Sequence, residues 1–337
     1  MRYFSIKACL AFLGLTGLHY LYRPIGQGQG IIFTLHRVTN KKPNKFSPNS
    51  ILQIQPDFLD RLLYFLRRKN IDIISMDEAI ARIQGGKKSD NFFVVFTLDD
   101  GYKDNLLEAL PIFEKHNAPF TIYIPTIYID GLGELWWQNL EDIISKIDAV
   151  GYVDNNISRY IKCRSLSEKR AAFDKMYKWL NSLDQIEQRI QINDLAARYS
   201  YDCQENCREL IMDWNQLKLL ASNPLVTIGA HTVHHYNLAK LSSEKLEQEM
   251  ALGADILEKS LGVRPKHFSY PYGWKTAFGA REFRMTEKLG FASGVTTSFG
   301  TIKIKDNLNI YGLPRISLNG KFQSVFWTNV LLSGKPF

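Results

Sequence analysis

Asn91-Phe92-Phe93-Val94-Val95-Phe96-Thr97-Leu98-Asp99-Asp100-Gly101-Tyr102 sets five consecutive apolar residues, β-branched and aromatic, ahead of two adjacent carboxylates and a glycine. Such a run is a strand that expects cover on both faces. Side chains alternate along a strand, so Asp99 and Asp100 share a direction only if the chain leaves the sheet between them. Gly101 supplies that exit. Read alone, Asp-Gly is equally an ordinary turn closing a strand. The C-terminal ends of buried parallel strands are also where α/β barrels keep their chemistry, so partners elsewhere in the chain decide the reading.

Outward from this strand the chain alternates strand and helix. Upstream, the pattern predicts a glycine-rich flexible lead at residues 26–30, a strand over Ile31 to Leu35 closed by His36 and Arg37, and a loop over 41–50. An amphipathic helix follows from Pro56 to about Lys69, then a short strand at 71–74. Ser75 with Glu78 predicts a capping box opening a helix that ends at Gly85-Gly86. Downstream come a helix over 103–116 and a strand Phe120 to Ile124. From Pro125 to about Asp213 the patterning is helical, with no convincing strand. The rhythm then resumes: a helix over 214–221, a strand Val226 to Gly229, a long helix over 243–261, and strands at 267–270, 291–297 and 310–318.

About seven strands alternating with helices predict an α/β fold, a distorted, incomplete (β/α)7 barrel with a mainly helical insertion. The expected organisation is an apolar N-terminal segment over 1–29, a catalytic domain formed by 30–124 and 214–337, and the insertion at 125–213. No Gly-x-Gly-x-x-Gly follows the first strand, so a nucleotide cofactor has no support.

The 337 residues are 45% hydrophobic with a net charge of +8 spread along the chain, which suits a globular protein without a dedicated nucleic-acid surface. Cys9, Cys163, Cys203 and Cys207 are too few for a disulfide framework; Cys203 and Cys207 would share a helix face, and no second pair completes a metal site. Ala8 to Tyr22 carries no formal charge and follows Arg2 and Lys7. It reads as a packed or membrane-surface helix, an uncleaved anchor or a secretory signal, although no small-x-small cleavage pattern follows it. A cytoplasmic or inner-membrane-associated protein is the expectation, with a secreted or periplasmic one as the alternative. The oligomeric state has no signature.

Two imidazoles and a carboxylate form a three-ligand site that leaves positions open for water and substrate, the arrangement of a catalytic metal. His231-Thr232-Val233-His234-His235 follows the strand at 226–229 and offers His231 with either His234 or His235; Asp99-Asp100 offers the carboxylate. One Asp can then ligate while its neighbour takes a proton from water, the machinery for hydrolysing an amide or ester.

Thr97-Leu98-Asp99-Asp100-Gly101-Tyr102, His231-Thr232-Val233-His234-His235 and Tyr270-Pro271-Tyr272-Gly273 resemble the first three motifs of the polysaccharide deacetylases, carbohydrate esterase family 4 with the nodulation-protein-B homology domain. The resemblance makes Asp99 the general base and Asp100, His231 and His235 the metal ligands, His-Ser/Thr-x-x-His selecting His235 over His234. It gives the Tyr272 backbone N–H to the oxyanion. Two positions depart from the pattern: Ser269 stands where many members have a base-orienting Arg, and no histidine follows His267 where many have a C-terminal general acid. Leu35-His36-Arg37-Val38 is similar to the Tyr-His-Arg-Val of a subset with partly permuted motifs. First and last strands of a closed barrel are neighbours, so His36 becomes the candidate acid and Arg315 the candidate base-orienting cation. His19, His116 and His267 are read as structural.

The implied activity is metal-dependent removal of N-acetyl groups from N-acetylglucosamine units in a polysaccharide, chitooligosaccharide or glycolipid, with Tyr272, Trp136 and Trp137 as substrate-binding aromatics. The implied cofactor is one divalent cation, zinc first, with cobalt, nickel, iron or manganese as alternatives. The implied partner is the carbohydrate or glycolipid itself, with peripheral membrane association through the N-terminal segment and no nucleic acid. An O-acetyl esterase using the same site, and an inactive glycan-binding or envelope-scaffold protein, are the competing readings.

Overall fold

The computed structural model describes residues 2–85, 91–154, 157–303 and 308–334. One sheet of eight parallel strands organises it: β1 Gly30–Leu35, β2 Asp72–Ile73, β3 Phe93–Asp99, β4 Phe120–Ile124, β5 Val226–Ala230, β6 His267–Ser269, β7 Ser293–Val295 and β8 Ile316–Ser317. The order is β7-β6-β5-β4-β3-β1-β8, with β2 beside the start of β3. First and last strands are neighbours, Phe33 pairing with Ile316. Between β7 and β8 the ring is joined at the approach to β8, where Leu313 N–H donates to Gly294 C=O and Thr296 N–H to Leu313 C=O, both at 2.9 Å, and Arg315 N–H donates to Ser298 C=O at 3.0 Å. The architecture is a distorted, incomplete (β/α)7 barrel.

Its centre follows from the alternation along β3. Phe93 and Val95 join Ile32, Tyr123, Val295 and Leu313 in one apolar cluster, while Val94, Phe96 and Leu98 join the larger cluster built with the helices. Thr97 and Asp99 continue the odd-numbered face. The five apolar side chains Phe93, Val94, Val95, Phe96 and Leu98 are fully buried. At roughly 2 kcal/mol each they offset the cost of several kcal/mol for charge buried at the strand end. Strand β1 lies against β3 because Gly30 has no side chain: a Cβ there would stand 2.3 Å from the Phe93 ring.

Pro56–Arg68 is the expected amphipathic helix, burying Phe58, Leu59, Leu62, Leu63 and Leu66. Several boundaries differ from expectation. The stretch 310–318 is no continuous strand: Ile310–Gly312 winds into a 3₁₀ turn capped by Asn309, and Pro314, which has no N–H to give, separates it from β8. Ser75 accepts the Glu78 N–H, but the Glu78 carboxylate turns to Arg82, so the box is half formed; Gly86 lies outside the described residues. The glycine-rich lead is tied down, with Gln29 N–H on Ile302 C=O at 2.8 Å.

The segment 125–213 is mainly helical but contains an antiparallel hairpin, Ala149–Asp154 with Ile157–Lys162, that the helical reading passed over. Residues of its second strand, Ile157 and Tyr160 among them, are exposed, so that strand lacks the buried alternation that marks a half-buried one. Cys203 precedes the helix Glu205–Leu210 that carries Cys207, so the two share no helix face; both are buried thiols donating to carbonyls of Ile192 and Tyr128. The N-terminal stretch forms two helices, Arg2–Leu15 and Leu18–Gly26, broken at Gly17 with φ 72°. No helix among the described residues is long and apolar enough to cross a membrane.

Candidate active site

Asp99 ends β3, and the chain turns out of the sheet at the next two residues, where Asp100 (φ 77°) and Gly101 (φ 78°) both adopt left-handed backbone. The exit begins at Asp100 itself, one residue earlier than the glycine suggests. Both carboxylates thereby face one cavity of about 500 Å³ at the C-terminal ends of the strands, lined also by His36, His231, His235 and Tyr272. Among the described residues, four of the seven non-glycine positions with positive φ are Asp100, Thr232, His235 and Tyr272, all in the site motifs. Backbone held in that region costs about 1 kcal/mol or more per residue, so surrounding structure must enforce it. One such constraint is Gly253 on the helix Ser243–Leu261, where a Cβ would stand 2.8 Å from the Thr232 backbone.

Asp99 is gripped by Arg315, which arrives from the approach to β8. Nη1 lies 2.8 Å from Oδ1 and Nη2 2.7 Å from Oδ2, a two-pronged pair with both side chains buried. The guanidinium is itself fixed by Thr296 C=O at 2.9 Å, Thr97 Oγ1 at 3.1 Å and Ser269 Oγ at 3.0 Å. Ser269 thus makes room for, and bonds to, an arginine delivered from another strand. Burial alone would raise the Asp99 pKa, but the Arg315 charge and hydrogen bonds outweigh it and hold the carboxyl down at about 2.

Asp100, His231 and His235 are the second group, their ligand atoms within 4.8 Å of one another and all three buried. The His231 Nδ1–H donates to Ser269 C=O at 2.6 Å, which turns Nε2 toward Asp100, 3.7 Å away; His235 Nε2 lies 3.4 Å from the same Oδ1. Asp100 Oδ1 and His235 Nδ1 are buried without a hydrogen-bond partner. Burial pushes Asp100 well above the usual carboxylate range, the neighbouring Asp99 charge adding to it, and pushes His231 down to about 4 and His235 well down. Neutral imidazoles and an orphaned carboxylate oxygen that only a nearby cation would keep ionised fit a divalent ion of the first transition row. His234 is not in this group: its ring meets Glu249 at 2.6 Å, on the side of the helix Ser243–Leu261.

His36 follows β1 to the strand-end floor of the cavity. Burial lowers its pKa, opposed by the Asp99 charge and assisted by Arg315. Its backbone is pinned from the segment after β3: Asn105 Nδ2 donates to His36 C=O at 2.8 Å, and Asp104 takes Arg37 Nε at 2.8 Å and Val38 N–H at 3.1 Å. These two anchors went unread because polar residues after Asp-Asp-Gly look like any helix start.

The aromatic expectation needs correction. Trp136 is fully buried and sits behind the site, its Nε1–H on Tyr272 Oη at 3.0 Å, because the first turn of the helix Trp136–Lys146 packs inward. Trp137 does line the cavity, its ring 5.5 Å from that of His235. The sequence reading missed Trp274, half exposed on the cavity wall beside Tyr272, and the turn Pro48–Leu52 opposite. That turn is clasped by Asn49, whose N–H meets Glu141 at 2.8 Å and whose amide donates to Trp137 C=O at 2.7 Å.

Fold and site together define an incomplete α/β barrel with two buried carboxylates and two imidazoles gathered at the strand ends. Residues 169–291 match the polysaccharide deacetylase family model, a span that contains His231, His235 and Tyr272 and stops short of Asp99, Asp100, His36 and Arg315. No curated protein sequence matches the chain. The fold is similar to that of the Streptococcus pyogenes deacetylase PplD, solved with acetate, at TM-score 0.57 and 17% identity over 86% of this chain and 92% of that one. IcaB from Ammonifex degensii is similar at TM-score 0.56 and 16% identity, covering 92% of this chain and 99% of its own. A de-N-acetylase from Aggregatibacter actinomycetemcomitans gives TM-score 0.57 and 14% identity, covering 89% and 99%. The second and third motifs, at 231–235 and 270–273, thus lie within the match to the polysaccharide deacetylase model, and the resemblance they carry is accompanied by a shared fold over most of the chain.

Proposed function

We propose that this protein hydrolyses the N-acetyl group of an N-acetylated sugar, with N-acetylglucosamine units of a glycan or glycolipid as the substrate class and zinc as the first choice of cation. The observation that carries this reading is one cavity holding an Asp100–His231–His235 donor set beside a carboxylate clamped by Arg315. A divalent cation held by Asp100, His231 and His235 supplies polarisation of an acetyl carbonyl and acidification of water.

The chain's own residues do the rest. Asp99, kept ionised and oriented by Arg315, accepts a proton from the attacking water. The Tyr272 backbone N–H, presented by its left-handed turn, faces the oxygen on which negative charge develops. His36 in its protonated form donates to the departing amine nitrogen, so that amide and water become acetate and amine. Residues 30–124 and 214–337 form the catalytic unit in this reading, and 125–213 contributes the Trp137 wall.

Release of acetate together with free amine from N-acetylglucosamine oligomers tests it. Activity that is lost on chelation, restored by zinc and abolished in Asp99→Asn is the expected outcome. Acetate without amine would instead assign an O-acetyl esterase; retention of a metal with no acetate from any acetylated glycan would sink the hydrolase reading.

A further inference from the structure

The two ends of the chain build a layer that the chemistry above does not use. Helices Arg2–Leu15 and Leu18–Gly26 pack on the helix Val325–Leu331: a Cβ on Gly14 would stand 2.2 Å from the Phe326 ring, and Arg23 Nη2 donates to Asn329 Oδ1 at 3.0 Å. Thr301 Oγ1 ties the second helix down through Gly26 C=O at 2.9 Å. The outer side of this anchored layer stays apolar. Phe12, Leu15, Leu21 and Ile25 are 60%, 81%, 72% and 74% exposed, and Tyr20, Phe299 and Phe326 are exposed as well. Scattered exposed apolar residues are ordinary; this density on two short helices and the elements they pack against is not.

Charge names the partner. No Asp or Glu precedes Asp57 and none follows Asp306, so both terminal segments lack acidic side chains, while Lys7, Arg23 and Lys321 supply cations. Aliphatic and aromatic side chains with cations and no acids are the composition of a helix lying in the interface of an anionic bilayer.

Beneath the first helix lies a second cavity of about 930 Å³, with Ile6, Leu10, Phe299, Ile316, Phe322 and Leu331 among its walls. It adjoins the catalytic cavity. Trp274, Thr297 and Lys321 line the catalytic one, and the next residue in each case, Lys275, Ser298 and Phe322, lines this one. A molecule spanning the two would place a sugar at Asp99 and Asp100 and its hydrocarbon under the first helix. We propose that the terminal layer docks on an anionic phospholipid surface and that this cavity takes the hydrocarbon of a lipid-linked sugar held there. The docking half stands independently; the sugar half rests on the deacetylase reading.

Three readouts on the full chain test this. In co-sedimentation with phosphatidylcholine vesicles, binding is expected only when phosphatidylglycerol is included, is released by salt, and falls at least about tenfold in the combined variant Leu15→Asp, Leu21→Asp, Ile25→Asp. Acetate release from soluble oligomers by that variant stays at the wild-type rate. By calorimetry below its micellar concentration, a long-chain alkyl N-acetylglucosaminide binds at least about tenfold more tightly than the methyl glycoside, and Ile6→Trp, which fills the cavity, erases the difference. Absence of anionic-vesicle binding, or binding unmoved by the triple variant, overturns the docking surface. Equal affinity for the two glycosides overturns the lipid cavity. A chain that passes both binding tests yet releases no acetate from any substrate refutes the deacetylase reading and leaves the lipid site standing.

Discussion

The floor and the wall of the catalytic cavity are built in opposite ways. The floor comes from three short runs at strand ends, 97–102, 231–235 and 270–273, closed by Arg315 and by His36 after β1, and its groups are mostly buried, charged or strained. The wall comes from scattered pieces: the turn Pro48–Leu52, Trp137, and Trp274 beyond β6. Floor residues gain their properties from being held against one another inside the barrel. Wall residues are held by loop contacts such as the Asn49–Glu141 clasp. Chemistry should therefore reside in the floor and substrate preference in the wall.

Substitutions can break that division, beginning with the largest effect. Asp99→Asn should cost at least about 10³-fold in turnover with bound metal unchanged, read by initial rates and metal analysis. Survival of turnover would move the base off the floor. Arg315→Met leaves a buried carboxylate unpaired and should lose about 3 kcal/mol in urea unfolding. Adding Asp99→Asn to it should recover part of that loss, as expected for two members of one pair.

Glu141 sharpens the comparison from the wall side. Burial, with Asp142 adding and the Asn49 N–H opposing, raises its pKa from 4.5 to about 7. A carboxyl raised in the folded state contributes fully below its unfolded value and loses that contribution as pH rises through the folded one. Stability should therefore fall by roughly 3 kcal/mol between about pH 4.5 and 7, and Glu141→Gln should flatten that slope in thermal melts at several pH values. Trp274→Ala, the smallest change, should raise KM for oligomers a few-fold, about 1 kcal/mol, at nearly constant kcat. A fall in kcat instead would put Trp274 among the floor groups.

The same division explains what could be read in advance. An apolar run that stops at carboxylates, or at a histidine pair, is a local pattern with a physical meaning, and it located β3, β5 and the two strand ends that meet in the Asp100–His231–His235 cluster. Spacing left His234 and His235 open; the family pattern chose His235, and the fold then turned His234 to Glu249. Trp136 and Trp137 are adjacent in sequence, yet one is core and the other wall, because a helix turns about 100° per residue and only one of two neighbours meets the cavity. Trp274, the Pro48–Leu52 turn and the exposed hairpin strand carry no period to read. Their positions are set by tertiary contacts across the barrel.

The arginine that neutralises Asp99 lies in the segment that also closes the ring, through Leu313 on one side and Ile316 on the other. During synthesis Asp99 therefore emerges more than two hundred residues before its counter-charge. Until the C-terminal stretch docks, β3 ends in a carboxylate with no cation beside it and β1 has one edge unpaired. A nascent chain halted before residue 315 therefore presents Asp99 without its cation, however well its other motifs have formed.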